Sequence, residues 1–549
     1  MKNILIAIRS IFKKGRHNVM KIVSLGIGLA VGLVLIAKVY FEQSYDDFYP
    51  DRDRVYQVWA KYQQNGGELK DYPQTSGGIA PTMQQQIPEI ETVTRYTSFG
   101  DWTFTMTDTK MKYSGRCIIA DSCFFDILPR PMLIGNAKEV LSTPMYVLIS
   151  SRIAKNIGGD VIGKNFTVDN SPGRTMTIGG VFEEVPENSH SRYDVIVSMA
   201  SAGRFMWEGS PTNMLGNDRY ISYVKLHKGV NPLALEEQVR TFVNSYFPPE
   251  EQQKVGLSID FSFHKLDNLH KELPQVKRMT WILSLLAFAL IFTAVMNYIL
   301  IVISSIVNRS KEVAVHKCYG ASENNIHGMM FGEALVHIVL SLILALLLIL
   351  AFRGTVEELL ATSLDSLLLS NGSLVLLGIC ILVFFVSGFM PGSLYARIPV
   401  ASAFRNYREN KRIWKKALLL VQFVATGFLV TMLVFVARQY TFMVNDRPGY
   451  AYENLAYCGL AGVDSTSRAK ILDEVMRLPG VAAATTVYQL PFEHASGNNI
   501  LLPGGTQELF NIADLYWVGN GYLDMMEIPV IQGRSFTENV TNSREVMED

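Results

Sequence analysis

The sequence predicts a membrane α-helical protein with α+β extracytoplasmic domains, about five transmembrane helices and a cytoplasmic N-terminus. Three observations carry this. Hydrophobic residues fill 49% of the 549 positions although 18% are charged, and the two kinds separate into greasy and polar stretches. Five apolar runs approach the roughly 20 residues a helix needs to cross a hydrocarbon core of about 30 Å. Lys and Arg collect on alternate short loops, which sets the orientation. The formal charge is zero, so nothing in the balance suggests a nucleic-acid partner.

The elements follow in order. Residues 1–21 form a basic cytoplasmic segment with Lys2, Arg9, Lys13, Lys14, Arg16 and Lys21. Within it Ile4, Leu5, Ile8, Ile11 and Phe12 cluster at helical spacing, as for a second cytoplasmic contact or a helix lying on membrane lipid. The first span, 22–41, contains the charge-free run Ile22–Ala37 and then Lys38, which has the length to snorkel. No small-residue cleavage site precedes the polar SYDDFYPDRDR, so this is a span and not a cleaved signal. Residues 42–278 are exported and 280–307 form the second span. The cytoplasmic loop 308–330 carries Arg309, Lys311 and Lys317, and the third span occupies 331–352. The exported loop 353–373 sets Arg353 beside Glu357, Glu358 and Asp365. A fourth span (374–396), a strongly basic cytoplasmic loop (397–416), a fifth span (417–437) and a second exported piece (438–549) complete the chain.

In 42–278, strand-like runs such as RVYQVWA and RTMTIGGVF alternate with helix-like ones such as PLALEEQVRTFVNSYF, the signature of an α+β domain with its own core. The second exported piece reads likewise and looks related to the first. DSCFFDILPRPMLIGN (121–136) aligns without gaps on GNGYLDMMEIPVIQGR (519–534), bringing Phe124, Asp126, Pro131 and Gly135 onto Tyr522, Asp524, Pro529 and Gly533. QQIPEIETVTRY echoes MRLPGVAAATTVY, and Lys38 maps near Arg438 at the ends of spans one and five. On that reading the second unit is incomplete at Asp549, so either the chain is truncated or it works with a broken second unit.

The segment NRSKEVAVHKCYGAS (308–322) interrupts the greasy stretches. As a helix from Arg309 it gathers Arg309, Glu312, His316 and Lys317 on one side, with Ala314, Val315, Cys318 and Tyr319 on the other. Gly320 suits a left-handed C′ position, and Ser322 with Glu323 suits the start of the next helix. By composition alone this is a membrane-surface loop obeying the positive-inside rule.

Other signals are weaker. GGDVIGKN (158–165) begins like a phosphate-binding loop, but Asn165 stands where Mg²⁺ needs Ser or Thr and the segment is exported; a turn is the ordinary reading. Glu333 and His337, one turn apart, suggest an interfacial glutamate before a proton path. Asn297 is expected to bond a neighbouring helix. His264 and His270 read as exposed, without convergent partners. Five scattered cysteines (Cys117, Cys123, Cys318, Cys380, Cys458) offer neither a zinc spacing nor a disulfide framework. No cofactor, metal or catalytic constellation is expected.

The order of parts, with SYDDFYPDRDRVYQV, DSCFFDILPRPMLIGN, VIGKNF, GGVFEEVPENSHSRYDVIVS and above all RSKEVAVHKCYGAS before GEAL, resembles the MacB/FtsX-like permeases of ABC transporters, especially the large duplicated kind. The resemblance covers essentially the whole chain. Two positions depart from the usual pattern: His316 stands where arginine is common and Ala314 where glycine is. The resemblance implies a non-catalytic, multi-pass inner-membrane subunit with large periplasmic domains. It implies a separate cytoplasmic ABC-type ATPase as partner, a homodimer or pseudo-dimer, and room for a periplasmic partner. The work would be efflux, lipoprotein extraction or regulation of a cell-wall hydrolase. It also turns 308–322 into the element that docks on the ATPase, with Arg309, Glu312, His316 and Lys317 for contact and Gly320 and Ala321 for the turn. The rival expectations are a membrane-anchored sensor or interaction protein, a membrane enzyme using Glu333 and His337, and an inactive truncated remnant.

Overall fold

The computed structural model describes residues 17–535 except 65–66, 68, 169–170, 217, 369–371, 397–398, 401–412, 446–448, 461–462, 492–495 and 502–507. The basic segment 1–16, most of the 397–416 loop and the last residues of the second exported piece therefore lie outside the described residues. The chain divides into two compact units, Met1–Val430 and Thr431–Asp549.

In the first unit the exported segment builds an 11-stranded sheet. Its path runs Leu257–Lys265, Val55–Gln64, Ile221–Leu226, Ile90–Met106, Lys112–Ala120, Val195–Ser198, Tyr146–Ser150, Ser171–Phe182 and Met132–Ile134. Most neighbours are antiparallel; Lys112–Ala120 with Val195–Ser198, and Tyr146–Ser150 with Ser171–Phe182, are parallel. Val195–Ser198 reads VIVS and is buried throughout, as a strand covered on both faces must be.

Alternation along the strands sorts side chains into three cores. Tyr56, Val58 and Ala60 meet Met83 of helix Ile79–Gln86 and Phe242 of helix Glu236–Tyr246. Val55, Tyr96, Ile118, Phe124 and Tyr223 form a second core, and Trp102, Phe104, Cys117 and Phe166 belong to a third. Ile90–Met106 feeds all three, with Ile90 and Val93 in the first, Tyr96 in the second and Trp102, Phe104 and Met106 in the third. Its register against Lys112–Ala120 shifts between Ser98 and Asp101, and Gly100 takes φ 73° there. A bulge of this kind lets one long strand bend across several cores. The GGDVIGKN stretch is a turn, leading from helix Ser151–Ile157 into strand Asn165–Val168.

The helices of the membrane part are α1 (Asn18–Gln43), α2 (Pro274–Ser304), the short α3 (Ile306–Cys318), α4 (Glu323–Ala351), α5 (Ser373–Ala396) and α6 (Ile413–Asn445). All except α3 are long and apolar enough to cross a membrane, α6 through the part from Leu419. Helices α1, α2 and α4 start several residues before the apolar runs at 22, 280 and 331. Hydropathy marks the greasy stretch, while backbone hydrogen bonding continues through the flanking polar turns. The 31 residues of α2 span about 46 Å at 1.5 Å each, well beyond a hydrocarbon core of about 30 Å.

Leu25, Leu29 and Leu33 of α1 share one core with Ala294, Tyr298 and Val302 of α2 and Ile326, Met330 and Ile338 of α4. Lipid tails are as apolar as leucine, so close approach at small residues drives such packing. Gly28 shows it: a Cβ built there would lie 2.2 Å from the Ala294 Cβ.

Four polar expectations need correction. Lys38 does not snorkel: it is buried, paired to Glu42 at 2.7 Å and bonded to Thr362 Oγ1 at 2.8 Å. Glu333 does not reach outward from the helices: it is buried among them, 3.7 Å from the buried Lys21 Nζ, while His337 Nδ1 meets Tyr298 OH at 3.1 Å. Asn297 is exposed on α2, turned away from the neighbouring helices of the chain. His264 and His270 are half-buried, and His270 has a partner, its Nε2 lying 2.6 Å from Glu42 Oε2. In each buried case the offset is a tertiary partner far away in sequence, which a local window does not contain.

The second unit contains helix Ser465–Met476, a hairpin of Ser496–Leu501 with Glu508–Leu515, and the short helix Tyr522–Met525. The same order of helix, hairpin and short helix occurs in the first exported domain as Ile79–Gln86, Ile90–Met106 with Lys112–Ala120, and Phe124–Ile127. Gly135 and Gly533, aligned in sequence, have φ 87° and 91°. The Asp121 amide donates to the Arg95 carbonyl, and the Gly519 amide, 398 positions on, donates to that of Thr486. Backbone geometry thus repeats where the sequence does.

Candidate coupling helix

Helix α3 follows α2 after one residue, Ser305. The expected second span ran on to 307; the backbone instead turns at Ser305, whose amide and hydroxyl both donate to the Val302 carbonyl, at 3.2 and 2.6 Å. The buried Tyr395 of α5 closes the same point: its hydroxyl donates to the Val302 carbonyl at 3.0 Å and lies 3.1 Å from Ser305 Oγ. At the other end of α3, Lys317 Nζ donates to the Ala396 carbonyl at 2.6 Å. A cation is well placed there, because the last carbonyls of α5 carry partial negative charge. Between these two fastenings Val313 and Ala314 are 0% and 1% exposed and pack with Ile326, Met330 and Tyr395.

The turn out of α3 is equally well determined. The Gly320 amide donates to the Lys317 carbonyl and the Ala321 amide to that of His316, each at 3.0 Å. That pair of bonds is the Schellman ending, which needs a left-handed residue at Gly320, and its φ is 86°. Ser322 then caps α4, its side chain accepting from the Asn325 amide, with Glu323 in the first turn.

The side chains face differently from the sequence expectation. Ser310, Val313 and Ala314 are buried and Lys317 half-buried, an i, i+3, i+4, i+7 stripe. Val315, Cys318 and Tyr319, expected to share an apolar side with Ala314, instead point outward with Lys311 and His316; Tyr319 is 88% exposed. The helix buries the stripe that fits against the end of α5, and that choice depends on α5. Of the expected contact residues, His316 and Gly320 are exposed, Glu312 and Ala321 half-buried, and Lys317 is engaged within the chain. Arg309 lies on α3, but its side chain is outside the described residues. Sequence reasoning missed Ser305 and Tyr395. The Ser304–Ser305 pair, a frequent kink point, was the available signal.

Among the described residues no group of three or more His, Cys, Asp or Glu side chains is placed to hold a metal ion. The five cysteines are free, and burial pushes the Cys117 thiol well up from its ordinary value.

A family model of the MacB-like periplasmic core domain matches residues 20–242, and one of the FtsX-like permease C-terminal domain matches 284–400. The curated proteins contain no match. Among solved structures, a domain described as a permease protein's, from Porphyromonas gingivalis, is 33% identical; the alignment covers 40% of this chain and 91% of that one, with a TM-score of 0.37. The periplasmic region of MacB from Actinobacillus actinomycetemcomitans is 15% identical over 40% and 91% of the two chains, TM-score 0.26. The extracellular domain of the noncanonic ABC-type transporter YknZ from Gram-positive bacteria is 11% identical over 37% and 98%, TM-score 0.27. Two family models, one over α1 and most of the exported domain and the other over most of α2 through α5, make this chain a member of the MacB/FtsX-like permease family.

Proposed function

We propose that this chain is the transmembrane subunit of an ABC-type system of the inner membrane. A separate cytoplasmic ATPase docks on α3, and its movements reach the exported domain for envelope work such as efflux or lipoprotein processing. The subunit performs no catalysis of its own. The observation that carries the reading is the fastening of α3 at both ends, through Ser305 and Tyr395 at one and Lys317 and Ala396 at the other. A helix held in this way moves with α2 and α5 and does not swing on its loops. Its outward face presents Val315, His316 and Tyr319, and an exposed tyrosine beside an apolar residue is a favoured anchor at protein interfaces.

The test is purification of the tagged chain from its native membranes, beside Tyr319→Ser. A P-loop ATPase should accompany the wild type and fall at least tenfold in the variant. An ATPase retained by Tyr319→Ser, or absent from both, refutes this docking face.

A further inference from the structure

Three parts of the chain meet around one exported cleft of about 490 Å3. Strand Val55–Gln64 supplies Gln57 and Trp59, strand Lys112–Ala120 supplies Arg116, and the loop before Val195 supplies His190 and Arg192. Tyr45, just past α1, and Leu269, His270 and Leu273, just before α2, close the remaining side. The volume lies in the usual range for small-molecule sites, about 300–1,000 Å3. Tyr45 is four residues beyond Phe41, where the apolar run of α1 ends. At 1.5 Å per helical residue that is about 6 Å, within a headgroup layer that adds about 5–7 Å to each face of the bilayer.

The acidic groups at the cleft are already engaged. Asp46 is fully buried with Oδ2 2.8 Å from His190 Nδ1, and the other nitrogen of that ring meets the Tyr223 hydroxyl. Glu42 takes His270 on one oxygen at 2.6 Å and Lys38 on the other at 2.7 Å. Two guanidinium groups are left over. Arg192 donates to the Glu187 carbonyl and forms no ion pair among the described residues. Among the described residues the Arg116 guanidinium pairs only with Asp101, at 4.0 Å and largely exposed. Flat rings are fixed nearby: Tyr45 stacks on His270 at 3.4 Å and Trp59 on His264 at 4.2 Å.

We propose that this cleft binds the phosphate-bearing headgroup of a lipid in the exported leaflet. Arg116 and Arg192 pair with the phosphate, since guanidinium forks match phosphate geometry. Tyr45, Leu269 and Leu273 cover the carbons that join it to the acyl chains. Because the walls come from the exported domain, the end of α1 and the approach to α2, an occupant touches all three and reports their relative positions. This goes beyond the ATPase reading and does not depend on it: a lipid can occupy the cleft with no ATPase present.

The test uses the full chain, extracted from its membranes and examined by native mass spectrometry for retained anionic phospholipid. The wild type should retain about one, and Arg116→Gln/Arg192→Gln at least tenfold less. Arg477→Gln, a control at an exposed arginine outside the cleft, should leave retention unchanged. Arg192→Lys, which keeps the charge but not the fork, should retain more lipid than Arg192→Gln, separating loss of charge from misfolding. Equal retention by the wild type and the double variant overturns the proposal, and so does loss in the Arg477 control. Inorganic phosphate is titrated in parallel. Tight phosphate binding that the double variant loses, with no retained lipid, assigns the cleft to free phosphate and overturns the lipid source.

Discussion

Replacing Gly28 by alanine tests the closest contact between α1 and α2. The added Cβ would lie 2.2 Å from the Ala294 Cβ, against ordinary contacts of 3.4–4 Å. The helices must therefore part by about 1.2 Å, or one must rotate, and tightly packed interiors transmit such shifts. Overpacking of this size costs about 1–3 kcal/mol. Alanine recovers up to about 1 kcal/mol of helix propensity over glycine, so the single variant should lose about 0–3 kcal/mol. The decisive measurement is the double-mutant cycle with Ala294→Gly, which moves the methyl group to the other helix and cancels the propensity term. Reversible unfolding in mixed micelles should show the double variant recovering about 1–3 kcal/mol relative to the sum of the single changes. Additive effects, within about 0.5 kcal/mol, would mean the helices do not meet at this point.

Three more outcomes are expected. Gly320→Val should keep insertion intact but uncouple ATP hydrolysis from the exported domain, because a β-branched residue resists φ 86°; Gly320→Asn, which tolerates that region, should be nearly normal, and equal loss in both would refute the turn account. A membrane-impermeant maleimide applied to spheroplasts should label exposed Cys458 at once, exposed Cys318 only after permeabilisation, and buried Cys117 only after denaturation; early labelling of Cys318 would reverse the orientation. Lys225 at 2.6 Å and Arg54 at 3.1 Å hold the Asp51 carboxyl below its ordinary value of 3.8. Its folded value being depressed, its contribution is complete above that ordinary value and disappears as pH falls through the folded one, so Asp51→Asn should show a smaller fall in Tm between pH 5 and 3 than the wild type. An unchanged fall would exclude that carboxylate as a source of acid sensitivity.

What was legible in the sequence follows the range of the forces involved. The spans were, because about 20 apolar residues in a row have few other uses. The end of α3 was, because Gly320 and Ser322 act through bonds to residues at most four positions away. The facing of α3 was not: Val313 and Val315 are chemically alike, and only the end of α5 decides that one is 0% and the other 43% exposed. Lys38 and Glu333 misled for the same reason, since their partnerships with Thr362 and Lys21 cross more than 300 positions. The repeat was legible through Gly135 and Gly533, where an identical residue answers an identical backbone demand.

Ile90–Met106 belongs to three cores at once, and this limits how the exported domain can deform. Its 17 residues, at about 3.3 Å each, make a bar of about 50 Å once the bend is allowed for. The cores strung along it cannot slide past one another without breaking the strand's own ladder of hydrogen bonds. A small tilt at one end of the strand therefore becomes a larger sweep at the other, as with an oar. Any displacement of such a domain is an angle, and its reach depends on strand length more than on any one contact.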